Sequence, residues 1–397
     1  MYYKKYGKIL SIIDKRPGVT EVLVEVDGRH EKAINYDLLT GEVSGGERVV
    51  LNTTALDRGL GTGGYHFVME VAGKSKPAAR TAGHIMKLRY TPWQLKVLSV
   101  EEEEHPGSGL YRSVGSMGGM PVIIASLHSM IAPVAAAVKK SAGRVLRVAY
   151  LMTDGAALPI WFSRLVHQLR DRDLLDSTIT CGHAFGGDHE AINVFSGLIW
   201  AKAAGSDLVI VSMGPGIVGS GTQFGNTAIE QGEVVNAVNV LGGRAIAVPR
   251  ISFADSRERH FGLSHHTMTS LGRIALGECT VPIPLLEGKK RDLIYRQLQE
   301  SGISQRHNIV EVDTEGLDAI MESLDLRVTT MGRTAADDPC FFHTAGAAGF
   351  YAADLLNVGV DHLSQRPEGG RLPLKNGHQL SHSPGKVKPA PGKINLH

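Results

Sequence analysis

The sequence is short of several things, and each shortage closes off a class of protein. Only three of its 397 residues are cysteines, Cys181, Cys279 and Cys340, and none stands in CxxC spacing. Neither a disulfide framework nor a structural zinc site is indicated. No apolar run reaches the roughly 18 residues that a membrane span requires, and the opening MYYKKYGKIL lacks an apolar signal core. A cytoplasmic protein with no membrane partner is expected. Charge of one sign is scarce as well, since 42 Lys and Arg against 40 Asp and Glu leave a formal +2. That balance provides no general surface for a polyanion. The N-terminal segment alternates Lys and Arg with Glu and Asp and carries no basic aromatic stripe, which argues against nucleic acid as a partner.

Glycine, by contrast, is plentiful, and one concentration of it organises the chain. Residues 206–233 read SDLVIVSMGPGIVGSGTQFGNTAIEQGE. The first part is a nearly continuous apolar run, as in a strand buried on both faces of a parallel sheet. It ends in Gly214, Gly216, Gly219, Gly221 and Gly225, threaded with Ser220 and Thr222. Thr227 to Glu230 has capping-box spacing, and Val234, Val238 and Leu241 continue at helical spacing. A strand, a loop poor in side chains and a helix start form an anion cradle, because glycine lets backbone N–H groups approach a ligand.

The remaining chain divides by pattern. Residues 1–70 hold short strand candidates at 6–13, 21–26, 31–36 and 47–52, separated by Gly-containing turns. They predict a small β-barrel-like module for docking or homo-oligomerisation. The glycine-rich piece at 60–67 is read as a turn into a last barrel strand. Residues 71–120 form a linker and an arm. From 121 to 356, strand candidates at 122–127, 145–152, 178–181, 207–213, 245–249, 281–284, 309–312 and 328–331 alternate with helix candidates. That alternation predicts an α/β domain with a doubly wound, mostly parallel sheet. A closed (β/α)8 barrel competes, but the late strands are short and interrupted by prolines, as edge strands are. Residues 357–397 lose the apolar pattern and read as a disordered, mildly basic tail.

In parallel α/β sheets, ligands bind beyond the carboxyl ends of the strands. The residues there include His128, Asp154, His183 and Arg250, with His265 and His266 opening the following helix. Asp154, His183 and His265 are the candidate acid–base residues, because imidazole titrates near neutrality and a carboxylate orients or tunes it. Candidate ligand-binding residues are His128, Gly214, Gly216, Gly219, Ser220, Thr222 and Arg250, the last supplying countercharge. Gly214 to Gly219 matches G-x-G-x-x-G formally, but the helix signal begins too late and Arg250 stands where an NAD site wants a carboxylate. No G-K-[ST] follows, so the loop is not a Walker P-loop, and no cofactor is assigned. A metal site from His183, Asp188 and His265 is conceivable by residue type, yet no fixed ligand spacing supports it. Cys181 is either a thiolate nucleophile or, as the strand context favours, the buried end of its strand.

The segments GLGTGGYHFV, GHIMKLRYTPWQLKVLSVEEE, MTDGAALP, GHAFGGD, VIVSMGPGIVGSGTQFG, VPRISFADSRERH and LSHHTM together resemble a bacterial domain-of-unknown-function family, number 3866, over about residues 5–355. The resemblance implies a bacterial protein but brings no activity and no catalytic residues. The residues themselves favour an enzyme acting on a small anionic metabolite carrying a phosphate or nucleotide moiety. The alternative is a ligand-sensing or scaffold protein that holds an effector in the same loop.

Overall fold

The structure, a computed structural model, describes residues 2–61, 63–74 and 82–364, with side chains described as far as Asn357. Strands β1 (Lys4–Arg16), β2 (Val19–Val26), β3 (Arg29–Tyr36), β4 (Arg48–Asn52) and β5 (His66–Val71) close into a barrel in the order β1-β2-β3-β5-β4. Closure depends on β1, which pairs with β2 over Lys8–Arg16 and with β4 over Lys4–Lys8. Register shifts after Ile9 and Ile12 bend it so that one strand serves both neighbours. Alternate residues face inward, and Ile9, Val22, Val24, Val49 and Leu51 fill the interior. Glycine-rich residues 60–67 lead by a turn into β5 as expected, apart from residue 62, which lies outside the described residues.

A buried carboxylate ties the barrel to the rest of the chain. Glu21, on β2, is 2% exposed and accepts hydrogen bonds from Arg164, Arg16 and Tyr65. Burial alone would raise its pKa, but these donors win and hold it below the usual carboxylate range. Phe67 packs on Phe162 at 6.2 Å between ring centroids. The arm adds the hairpin β6 (Ile85–Lys87) and β7 (Leu95–Val97). Lys87 is 1% exposed, and its Nζ donates to the carbonyls of Thr180 (3.1 Å) and Ala184 (2.5 Å) and to Glu190 Oε2 (2.6 Å). The linker expected around 72–80 lies mostly outside the described residues.

The second layer system is an open, eight-stranded sheet, all parallel. Its strands are β8 (Pro121–Ala125), β9 (Val148–Thr153), β10 (Ser177–Thr180), β11 (His189–Glu190), β12 (Leu208–Met213) and β13 (Arg244–Val248). After the short hairpin β14 (Ile251–Ser252) and β15 (Gly262–Leu263) come β16 (Thr280–Pro284) and β17 (Asn308–Val312). The order is β11-β10-β9-β12-β8-β13-β16-β17. Strands β8, β9 and β12 are buried throughout, which is why they read as unbroken apolar runs. Helices Ile131–Ser141, Arg164–Asp171 and Pro339–Ser364 cover one face, and Val194–Ala203, Glu230–Val240 and Gly288–Glu300 the other. Chain leaving β8 therefore crosses one face and chain leaving β12, its neighbour, crosses the opposite face. Gln231 fastens the underlying strands, its Nε2 donating to the carbonyls of Ile124 (2.9 Å) and Val248 (2.8 Å).

Three expectations change. Residues 328–331 form no sheet strand, and the eighth strand is β11, two residues long at one edge. The prolines of β16 sit one strand in from the edge. They are tolerated because β16 meets β13 at a single register pair, Ile246–Thr280, while pairing fully with β17. The last helix runs to Ser364, past the point where a tail was expected, and residues 365–397 lie outside the described residues.

The burial of Lys87 generates a prediction. Truncating one partner of a buried pair leaves the other without compensation, which typically costs about 3–5 kcal/mol. Lys87→Ala should therefore lower the urea unfolding free energy by about that amount. A loss under about 1 kcal/mol would mean that water solvates Glu190 and the two carbonyls in place of the ammonium.

Candidate functional site

The loop after β12 separates two clefts. Gly214 approaches the chain so closely that a Cβ would lie 2.5 Å from the Ala157 carbonyl oxygen. Gly216 has φ +107, a conformation that L side chains rarely adopt, and a Cβ there would meet open space. Among the described residues, the amides of Gly216 and Ile217 donate no hydrogen bond. They border a crevice of about 460 Å³ with His128, Arg164, Arg327 and Thr330. This crevice lies where the crossovers from β8 and β12 diverge, the usual ligand position in an open α/β sheet. His128 closes its floor: Nδ1 lies 3.2 Å from the Met213 carbonyl and Nε2 2.6 Å from Ser163 Oγ. Burial pulls His128 down to about 4, so it is neutral at physiological pH.

Beyond Gly219 the loop turns towards a second cleft, of about 420 Å³, lined by Gly221, Gln223, Arg259, His265, Thr269 and Arg273. Ser220 and Thr222 are exposed and bond to each other, Oγ to Oγ1 at 2.7 Å. Beneath them sits a histidine cluster. The β14–β15 hairpin, paired through Ile251 and Leu263, returns the chain so that His260 meets His265 and His266 at the next helix start. One ring nitrogen from each lies within 4.8 Å of the others. Ser264 accepts from the His266 amide at 3.3 Å as helix cap and lies 2.8 Å from His260 Nδ1. A Cβ at Gly219 would lie 3.0 Å from His266 Nε2, so the glycine lets the loop rest directly on the ring. Burial, followed by the charge of Arg250, lowers His260 to about 3. His266 falls to about 3 through burial and then His265, and His265 is lowered by burial and then Arg259.

The candidate residues are thus distributed unevenly. His128, Gly214 and Gly216 meet at the crevice, whereas His265 lines the histidine cleft with Gly221 and Gln223, Gly219 approaches the His266 ring, and Ser220 and Thr222 bond to each other in the loop without lining either. Arg250 is 3% exposed and is not on either rim, because its Nη2 donates to Asp255 Oδ2 at 2.9 Å. Asp255 also accepts from Arg257, whose hydrogen bonds hold its carboxyl far below the usual range. Asp154 and His183 meet only through the backbone, Asp154 Oδ2 accepting from the His183 amide at 2.8 Å. The His183 ring is taken up by the arm, its Nδ1 accepting from the Leu88 amide at 3.0 Å. Asp188 accepts from the Thr178 amide at 2.9 Å. Among the described residues, His183, Asp188 and His265 form no common metal-ligand group, and the only such group is His260, His265 and His266. Cys181 is buried and its thiol is pushed up by that burial, which makes it the end of a strand and not a thiolate nucleophile.

Sequence spacing does not single out two of the functional candidates. His260 stands five residues before His265, across a hairpin, so only the fold reveals their meeting. Glu230 was legible as the far end of a capping box opened by Thr227, yet the Thr227 hydroxyl accepts from the Val218 amide at 3.2 Å, no side-chain cap forms, and a 3-10 turn, Thr227–Ile229, precedes the helix. Its carboxylate turns to Thr153 instead, accepting from Oγ1 at 2.7 Å in a small pocket with Asp154, Cys181 and Glu233. Burial raises it to about 7.

The architecture defines the class: an open, parallel α/β sheet protein carrying an N-terminal five-stranded barrel. Within that class, the chain belongs to the family described as Protein of unknown function (DUF3866), which matches residues 32–349. The match starts in β3 and ends in the last helix, so it spans part of the barrel and the whole sheet. No protein with a curated description matches the chain. Among the described residues, no helix is long and apolar enough to cross a membrane.

Glu230 gives a pH prediction. Its folded pKa of about 7 exceeds the ordinary 4.5, so the native state binds the extra proton and stability falls as pH rises between those values. Glu230→Gln keeps the acceptor for Thr153 and removes the titration. The variant should match wild type at pH 4 and exceed it at pH 8, by up to about 3 kcal/mol. Urea unfolding at both pH values measures this, and an unchanged wild-type slope in the variant would assign the titration to another group.

Proposed function

We propose that the protein is an enzyme acting on a small anionic metabolite, with a phosphate or nucleotide moiety as the recognised group, held between the glycine-rich loop and Arg259 and Arg273. Those two guanidiniums carry the proposal. Both line the histidine cleft, and among the described residues neither forms an ion pair or a hydrogen bond. Two like charges beside one cleft, with the single Glu300 carboxylate in its lining, leave a net positive charge that favours a bridging anion, and guanidinium suits phosphate by offering paired donors. Gly221 and Gln223 of the loop line the same cleft. An enzyme also needs groups that move protons. Asp154 and Glu230 supply them in a pocket along the same end of the sheet.

One observation favours the second reading, a ligand sensor. Arg164 lines the crevice and also grips Glu21 of the barrel with two hydrogen bonds. An anion entering the crevice would compete with Glu21 for that guanidinium and so couple occupancy to barrel docking. A thermal-shift screen of phosphorylated metabolites, followed by turnover assays on those that stabilise, separates the two. Binding at about 100 times Kd should stabilise by about 2.7 kcal/mol. For the stabilising ligand, Arg259→Ala and Arg273→Ala should each weaken affinity about tenfold, near 1.4 kcal/mol, while Arg327→Ala at the crevice leaves it unchanged. Stabilisation without conversion makes the protein a sensor, and sensitivity to Arg327 alone moves the ligand to the crevice.

A further inference from the structure

We infer that His260, His265 and His266 form a divalent-metal centre matched to zinc, with an open coordination position facing the cleft under Arg259 and Arg273. Histidine clusters often have a plainer purpose, in which each ring spends both nitrogens on neighbouring carbonyls or hydroxyls. That explanation fails here at two of the three. His265 Nε2 and His266 Nδ1 are buried without any hydrogen-bond partner. Orphaned polar atoms in a protein interior are costly, and a native structure retains them where something else fills the role. His266 is 6% exposed and His260 2% exposed, so water is not an available substitute for most of either ring.

The geometry supplies the rest of what a metal requires. Ring centroids are 4.9 Å apart for His260–His265, 4.9 Å for His260–His266 and 4.3 Å for His265–His266, and the rings are tilted or edge-on to one another. With His260 Nδ1 donating to Ser264 Oγ, its Nε2 carries the lone pair. This is the hydrogen bond from the second ring nitrogen that orients most metal-bound histidines. An all-imidazole set with no carboxylate selects against magnesium and calcium and suits zinc among the available divalent ions. Three histidines leave a fourth position for water or substrate, the arrangement of catalytic zinc. His265 is the member that reaches the cleft, which places that position beside the two unpaired arginines.

Metal binding itself does not depend on the anionic-substrate proposal; only its catalytic use does. The two are measured separately, by titrating cobalt(II) without any anion and by titrating phosphate into chelator-treated protein. Full-length protein purified without a histidine tag, stripped with chelator and titrated with cobalt(II), should bind one ion per chain. Binding should produce the intense visible ligand-field band of a tetrahedral site, and zinc should displace the cobalt stoichiometrically. His260→Ala, His265→Ala and His266→Ala should each lower affinity at least a hundredfold, while His343→Ala, a histidine remote from the cluster, should not. If the buried variants fail to fold, the wild-type cobalt spectrum together with the half-buried His265→Ala decides the matter. Absence of stoichiometric binding in wild type, an octahedral-type weak spectrum, or unchanged affinity in folded His265→Ala would overturn the assignment.

Discussion

The insertion of β12 between β8 and β9 is the constraint on which the site depends. The chain lays down β8, β9, β10 and β11 moving towards one edge, then returns through the opposite face to the middle of the sheet. Right-handed crossovers force that reversal to change face. Neighbouring strands β8 and β12 consequently send their chains to opposite sides, and a crevice opens at their carboxyl ends. The 214–226 segment must therefore bridge a crevice on one side and a second cleft on the other without filling either. Glycine meets that demand, because Gly214 and Gly219 lie too close to Ala157 and His266 for a Cβ to fit without displacement.

Buried charge in this protein is used to hold parts together, and it is consistently compensated. Glu21 fastens the barrel through Arg164 and Arg16, Lys87 fastens the arm through Glu190 and two carbonyls, and Arg250 is locked to Asp255. Such ion pairs contribute little net stability against apolar alternatives, but losing one partner is expensive. They fix how the pieces fit. Unpartnered buried atoms occur at several points, among them Arg16 Nε and His66 Nδ1 in the barrel, but the adjacent His265 and His266 each carry one, and His265 shares its cleft with the unpaired Arg259 and Arg273.

The fold was largely legible in the sequence, whereas the site was legible only in part. A strand buried on both faces must be apolar throughout, so β8, β9, β12 and β13 announced themselves. Two-residue β11 is polar at both positions, His189 and Glu190, and becomes a strand only because β10 offers Ile179 and Thr180 beside it. The 328–331 run has strand-like residues but lines the crevice beside His128 and joins neither edge of the sheet. At the rim, position after a strand pointed to His128, Gly214 and Gly216, which line one crevice, while the rest of the loop lies outside it. The same rule could not say that Arg250 would turn inwards, since its partner Asp255 lies across an irregular loop where spacing carries no directional information. Nor could it join His260 to His265, a meeting made by a hairpin and not by helical periodicity.

Electrostatics decides how metal and anion would coexist in the histidine cleft. At a generic separation of about 8 Å and an effective dielectric near 20, a divalent ion and one guanidinium repel by about 4 kcal/mol. Arg250, Arg257 and Arg333 share Asp255 and Asp338, which leaves one positive charge uncompensated there, while at the cleft itself Glu300 offsets part of the charge of Arg259 and Arg273. The opposition of the remaining net positive charge, about 8 kcal/mol before solvent screening of the exposed side chains, is smaller than the ~10–16 kcal/mol with which zinc binds good peptide sites. The ion can therefore bind alone, at reduced affinity. A phosphate bridging the arginines removes the repulsion, so metal and anion should strengthen each other's binding, and by linkage the effect must be equal in both directions. Such a centre would gain its full charge complement only when substrate is present, with the glycine loop as the one wall that touches both.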